Sequence, residues 1–350
     1  MNRTRGHVLA GVLTAAAVSL SACAGGGASD VAAAGTKPGG GQTSGNASAG
    51  TVNLYAYAVP KVGFDKLIPA FNATAAGKGV AFQQSYGASG DQSRKVEAGA
   101  AADIVNFSVE PDVTRLVDAG LVDKSWNAGE HKGIPFGSVV TIVVRKGNPK
   151  GIKDWDDLLK PGIEVVTPNP FSSGSAKWNL LAPYAAKSQG GKDPKAGLAY
   201  ISSLVQGHVK TQPKSGREAT ETFLQGSGDA LLSYENEAIF VKRGGEPVEY
   251  LTPPETFKIE NPVAVLSKSP NAARAKAFND FLYTPEAQRL WAEAGFRPVD
   301  STVAQEFAAD FPAPQKLWTI DDLGGWKAVN DSLFKKDVGS IAVIYDKATR

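Results

Sequence analysis

Three short segments place serine and glycine together where a helical pattern begins: Ser89-Gly90-Asp91-Gln92, Ser173-Gly174-Ser175-Ala176 and Ser215-Gly216-Arg217-Glu218. A helix start leaves backbone N–H groups without intrahelical partners and carries the positive end of the helix dipole. Glycine at such a start lets a ligand approach the backbone closely. Several starts converging on one point would form a cage of N–H donors for a small anion. Taken singly, each reads first as ordinary capping, because Ser89 with Gln92 and Ser215 with Glu218 match the S-x-x-E/Q capping box. The dipeptide also recurs at Ser44-Gly45 and Ser227-Gly228, so the inference needs the combination and its place in the fold.

Other residues could suggest different chemistry. Glu235 and Glu237 alternate as if along a strand end and would share a face, which evokes paired catalytic carboxylates. No histidine or cysteine lies near them in sequence, and structural or hinge roles fit better. Gly226-Ser227-Gly228-Asp229 lacks the Gly-Lys-Ser/Thr that completes a phosphate loop. The histidines are His7, His131 and His208, which offers no metal cluster and no serine–histidine relay. Cys23 is the single cysteine, so the chain forms no internal disulfide and no cysteine zinc site. No cofactor and no metal are expected, and an enzyme is not. The six tryptophans are scattered and read as packing residues rather than a stacked nucleic-acid platform.

Alternating strand-like and helix-like segments must position the serine–glycine starts. Val52–Tyr57, Val80–Tyr86 and Asp103–Phe107 read as strands, with helices at Phe64–Phe71, from Ser89, and at Val113–Ala119 between and after them. This order implies a parallel sheet covered by helices. An apolar run at Val139–Val144 and a strand at Ile163–Thr167 open a second unit, which runs through Leu231-Leu232-Ser233. A short strand at 263–266 and helices at 272–282 and 285–294 follow. We expect two α/β lobes: 51–137 with 262–350, and 138–261.

The N-terminus carries Arg3 and Arg5, then an uncharged stretch from Val8 to Leu20, too short to span a membrane as a helix. Leu20-Ser21-Ala22-Cys23 resembles the lipobox of bacterial lipoproteins. That implies a signal peptide over 1–22, a lipid on Cys23, and residence on the outer face of the cell membrane. Residues 23–50 are rich in Gly, Ala, Ser and Thr and read as a flexible tether. Loss of the leader removes Arg3 and Arg5 but no acid, so 37 basic residues become 35 against 35 acidic ones. A balanced charge gives no general field for nucleic acid, so any anion must be held by a local site.

Asn169-Pro170-Phe171-Ser172-Ser173-Gly174-Ser175-Ala176-Lys177-Trp178-Asn179 resembles the Asn-Pro-Lys-Thr-Ser-Gly-Gly-Ala-Arg-Trp-Asn pattern of the sulfate-binding proteins of ABC importers. Tyr86–Gln92 is similar to that family's Gly-Gly-Ser-Gly-Lys-Gln, and Gly228–Ala238 to its Gly-Asp-Val-Leu-Ile-Ala-Trp-Glu-Asn-Glu-Ala. The resemblance covers nearly all of 51–335. It implies a two-lobed periplasmic-binding-protein type II fold, α/β in class, with a dry sulfate between the lobes and delivery to the transmembrane subunits of an ABC permease. The donors it implies are Ser89, Ser173, Gly174, Ser175 and Gly216, with Tyr234 where the family has tryptophan. Ala58 stands where many members have aspartate. A donor-only cage favours sulfate, which has only acceptors, over hydrogen phosphate, whose proton wants a carboxylate such as Asp91 or Glu218. Thiosulfate or molybdate is the alternative cargo, a surface hydrolase or an adhesin the alternative class, and a monomer the default state.

Overall fold

A computed structural model describes residues 50–348. The leader, Cys23 and the tether up to residue 49 lie outside the described residues. The strands are β1 (Thr51–Tyr57), β2 (Ala81–Gly87), β3 (Ile104–Asn106), β4 (Phe136–Arg145), β5 (Val165–Val166) and β6 (Val209–Thr211). They continue with β7 (Ala230–Tyr234), β8 (Val248–Leu251), β9 (Glu255–Glu260), β10 (Val263–Val265), β11 (Arg297–Pro298) and β12 (Lys316–Trp318). The first seven α-helices are α1 (Lys61–Ala73), α2 (Ser89–Glu97), α3 (Glu110–Asp118), α4 (Gly174–Ser188), α5 (Pro194–Ser203), α6 (Gly216–Leu224) and α7 (Glu235–Arg243).

Two sheets result. The smaller has the order β10-β3-β1-β2, with β1 parallel to β2 and β3 and β10 antiparallel to β3. The larger has the order β12-β9-β4-β7-β5-β6, with β8 and β11 also paired to β4. Within it β5 runs parallel to β6 and β7, while β4 runs antiparallel to β7, β8, β9 and β11. The apolar run Val139–Val144 becomes the centre of β4 and is buried on both faces, as a continuous hydrophobic strand should be.

Helical periodicity explains the packing on the smaller sheet. Phe64, Leu67, Ile68 and Phe71 form the buried face of α1, each apolar side chain contributing about 1.5–3 kcal/mol on burial. Phe71 meets Phe82, Phe278 and Phe281 in edge-on or tilted contacts, bringing the helix Ala272–Phe281 onto the same face. Val96, Val113 and Leu116 from α2 and α3 cover the opposite face with Val105 and Phe107. Trp155, Trp178 and Trp291 are fully buried, in keeping with packing roles.

The chain enters the larger sheet at β4 and returns to the smaller one at β10. The segment after residue 262 does not all stay with the smaller sheet. β12 pairs in parallel with β9, and the helix Ser340–Ala348 packs against α5. Helical spacing in the C-terminal tail gives no means of seeing which sheet it will join.

Two local expectations need correction. Ser89 is the first residue of α2, not its cap: Ala88 holds the cap position, and Gln92 bonds Ser85 instead of closing a box. Glu235 and Glu237 sit in the first turn of α7, not on a strand, and turn to different partners. Glu235 forms a two-pronged pair with Arg297 at 2.7 and 2.9 Å, whereas Glu237 accepts from Arg217 at 2.7 Å and Thr220 at 3.1 Å. The Ser215 cap forms as expected, its Oγ accepting from the Glu218 N–H at 3.2 Å.

Candidate anion site

Ligands of open α/β sheets bind outside the carboxyl ends of the strands. The donors named from the sequence lie at such ends. Ser89 follows β2, Ser173–Ser175 follow β5, Gly216 follows β6, and Tyr234 ends β7. Tyr57 ends β1, and Ser108 lies two residues beyond β3.

Contacts join these residues into one cluster that spans both sheets. Gly216 abuts Ser175, whose Oγ lies 3.0 Å from where a Cβ on Gly216 would stand, with Val59 Cγ2 at 3.4 Å. Ser175 and Asn261 lie against the Tyr234 phenol. The Tyr234 hydroxyl meets Ser108 Oγ at 2.7 Å. A Cβ on Gly174 would stand 2.7 Å from Ser108 Cβ, so the start of α4 presses directly on Ser108. The Ser108 N–H donates to Ser89 Oγ at 2.9 Å. Ser173 caps α4 without its hydroxyl accepting from the first turn. All six residues named from the sequence are thus brought together.

The two sheet units are closed on one another here. Trp178 Nε1 and Asn261 Nδ2 both donate to the Ser108 carbonyl, at 2.7 and 2.9 Å. The Gly90 N–H donates to the Ser172 carbonyl at 3.1 Å, and Arg217 reaches the Val59 carbonyl at 3.5 Å. Small residues at Gly90, Gly174 and Gly216 permit this approach, since each faces atoms of another segment within about van der Waals distance.

Charge is arranged around the cluster rather than in it. Burial raises the Tyr234 phenol far above its ordinary pKa, which keeps it a neutral donor. Asp91 pairs with Arg94 and Glu218 is exposed, its Oε2 accepting from the Lys214 N–H. Neither carboxylate belongs to the cluster contacts. Asp112 does approach it: Ser89 Oγ donates to Asp112 Oδ2 at 2.6 Å. That hydroxyl has one proton, so the donor Ser89 retains for a ligand is its backbone N–H. Burial pushes the Asp112 pKa up, opposed by the Lys177 ammonium and the Ser89 bond. Burial in turn pushes Lys177 down, opposed by Asp112.

Sequence reasoning missed Ser108, Asp112 and Asn261. For Ser108 the available signal was positional, because it follows shortly after a strand legible in the sequence. A cavity of about 690 Å³ lies elsewhere, between Glu110, Trp126, Gly137, Arg297 and Trp326. It contains none of the six named donors. Among the described residues no group of three or more His, Cys, Asp or Glu side chains could hold a metal ion.

Residues 52–297 match the family model described as bacterial extracellular solute-binding protein. The chain is 38% identical over 334 residues to the sulfate-binding protein of Synechococcus elongatus, covering 93% of this chain and 92% of that one. It is 34% identical over 269 residues to the thiosulfate-binding protein of Pseudomonas aeruginosa, covering 74% and 80%. Among solved structures it superposes on the sulfate-binding protein SubI from Mycobacterium tuberculosis H37Rv with a TM-score of 0.80 and 64% identity, covering 81% of this chain and 99% of that one. With a two-sheet α/β architecture, a donor cluster at the strand ends and these matches over most of its length, the chain belongs to the bacterial extracellular solute-binding proteins.

Proposed function

We propose that the protein binds sulfate between its two lobes and delivers it to the transmembrane subunits of an ABC importer. The observation that carries this reading is the convergence of three serine–glycine helix starts, at Ser89, Ser173–Ser175 and Gly216, around the neutral hydroxyls of Ser108 and Tyr234. Such a site offers donors and no free carboxylate. Sulfate supplies only acceptors at neutral pH, whereas hydrogen phosphate brings a proton that would face another donor. The relatives named for sulfate point the same way.

The lobes are taken as 51–137 with 262–350, and 138–261, except that the segment from Lys316 onward travels with the larger sheet through β12. Binding closes these bodies by adding the anion's oxygens to contacts such as Trp178 to Ser108. We assign the mature protein to the outer face of the cell membrane as a monomer, held by a lipid on Cys23. Thiosulfate is the second reading, favoured by the Pseudomonas aeruginosa relative. Calorimetry of desalted protein against sulfate, thiosulfate, molybdate and phosphate tests the assignment. Sulfate binding at least tenfold weaker than one of the others would replace it.

A further inference from the structure

Tyr57 ends β1 and is 2% exposed, yet its hydroxyl has no hydrogen-bond partner among the described residues. Buried polar groups are nearly always paired, and an unpaired one calls for a reason. Two buried phenols show the usual pattern: Tyr200 donates to the Trp155 carbonyl, and Tyr234 is paired with Ser108. Phenylalanine would fill the same space at β1 without the polar atom.

The surroundings of Tyr57 place it against the donor cluster. Its ring centre is 6.5 Å from that of Tyr234, at an interplanar angle of 59°. Two residues on, Val59 lies beside the start of α6 at Gly216. Glu237 lies within electrostatic reach of the Tyr57 hydroxyl. Its two oxygens are already engaged, by Arg217 and by Thr220. Among the described residues no neighbour takes the Tyr57 proton.

We propose that the Tyr57 hydroxyl is a further donor to the bound oxyanion, standing beside Tyr234 at the carboxyl end of the smaller sheet. This rests on the sulfate reading above. Burial keeps the phenol neutral and protonated throughout the physiological range, so it serves as a donor without adding charge.

Tyr57→Phe in the full chain tests the proposal. Sulfate binding should weaken by roughly 5- to 150-fold, the loss expected when one buried hydrogen bond to a charged group is removed. The melting temperature without sulfate should stay level or rise, because the change removes an unpaired buried hydroxyl. Tyr200→Phe, in α5 outside the cluster, should lower the melting temperature and leave sulfate affinity unchanged. Unaltered affinity in Tyr57→Phe overturns the proposal. So does a fall in the sulfate-free melting temperature, which would make Tyr57 a packing residue. Wild-type protein that binds no sulfate overturns the underlying reading, and this proposal with it.

Discussion

Gly174→Ala adds one methyl group at the point where the two sheet units meet. Gly174 is not in the left-handed region, so alanine fits its backbone, and in a helix alanine is favoured over glycine by up to about 1 kcal/mol. The new Cβ would stand 2.7 Å from Ser108 Cβ and 2.9 Å from Ser108 Oγ, with Val109 Cγ2 at 3.1 Å. Ordinary contact begins at 3.4 Å, so Ser108 must retreat by about 0.7 Å. Ser108 Cβ is fixed to the backbone and cannot swing aside. That retreat strains the Trp178 bond to its carbonyl and the Tyr234 bond to its hydroxyl, both 2.7 Å now. Losing two such bonds costs about 1–3 kcal/mol of closed state, or roughly 5- to 150-fold in sulfate affinity. The fold itself should hold, because the change adds one methyl group and removes no side chain from the buried core. Titration calorimetry with a thermal melt separates the two effects: affinity falls while the sulfate-free melting temperature does not. Affinity within twofold of wild type would refute the contact as a closure point. Gly174→Asp, which sets a like charge beside the anion, should abolish binding altogether.

Further outcomes follow from other parts of the chain. Metabolic labelling with a fatty-acid probe should mark the wild type and spare Cys23→Ala; label retained in the variant would remove the anchor assignment. Sulfate affinity should stay within about threefold, or ~0.7 kcal/mol, between pH 6 and 8. His131 stacks on Tyr283 and His208 bonds the Ile163 carbonyl, so neither is among the cluster contacts. A steep change inside that range would place a titrating group in the site, with Asp112 the first to replace by asparagine. Stability should respond to pH in the opposite sense to ordinary acid denaturation. Burial raises the pKa values of Asp112, Glu235 and Glu237, so the folded state holds their protons more tightly than the unfolded chain does. The resulting stabilisation is full below the unfolded values and is lost as pH rises through the folded ones. Melting temperatures should therefore hold or rise as pH falls from 7.5 toward 5, and a steady fall over that interval would count against it. Asp157 and Asp322, whose pKa values are lowered by hydrogen bonds, withdraw support only at lower pH.

The element order was legible because hydrophobic periodicity is strong in both halves. Phe64, Leu67, Ile68 and Phe71 announce α1, and Val139–Val144 announces a strand buried on both sides. The helix starts were legible because serine and glycine mark them locally. What local pattern cannot carry is the partner a side chain finds across the fold. Ser89 reads as the first member of a capping box, but its hydroxyl turns to Asp112, 23 residues away. Glu235 and Glu237 read as alternate positions of a strand, but the helix begins at Glu235 and sends one carboxylate to Arg297 and the other to Arg217. Ser108 carried only its position after a strand of three residues, and it gains its role from Gly174, Trp178 and Asn261.

The topology explains why the donors come from so many places along the chain. Each parallel strand delivers one loop and one helix start to the same end of its sheet, so a single sheet can present several N–H groups but only over one side of a ligand. A tetrahedral dianion has acceptors pointing in every direction. Enclosing it with backbone donors alone requires a second sheet whose carboxyl ends face the first. Here β1, β2 and β3 present Tyr57, Ser89 and Ser108, while β5, β6 and β7 present Ser173–Ser175, Gly216 and Tyr234. Because these donors are neutral, the enclosure adds no fixed counter-charge that would hold the anion irrespective of closure. Under the proposed function, affinity would then depend on the two bodies meeting, and opening them would release the cargo. On the proposed reading, the closure contacts at Ser108, rather than any single donor, are the feature on which delivery would turn.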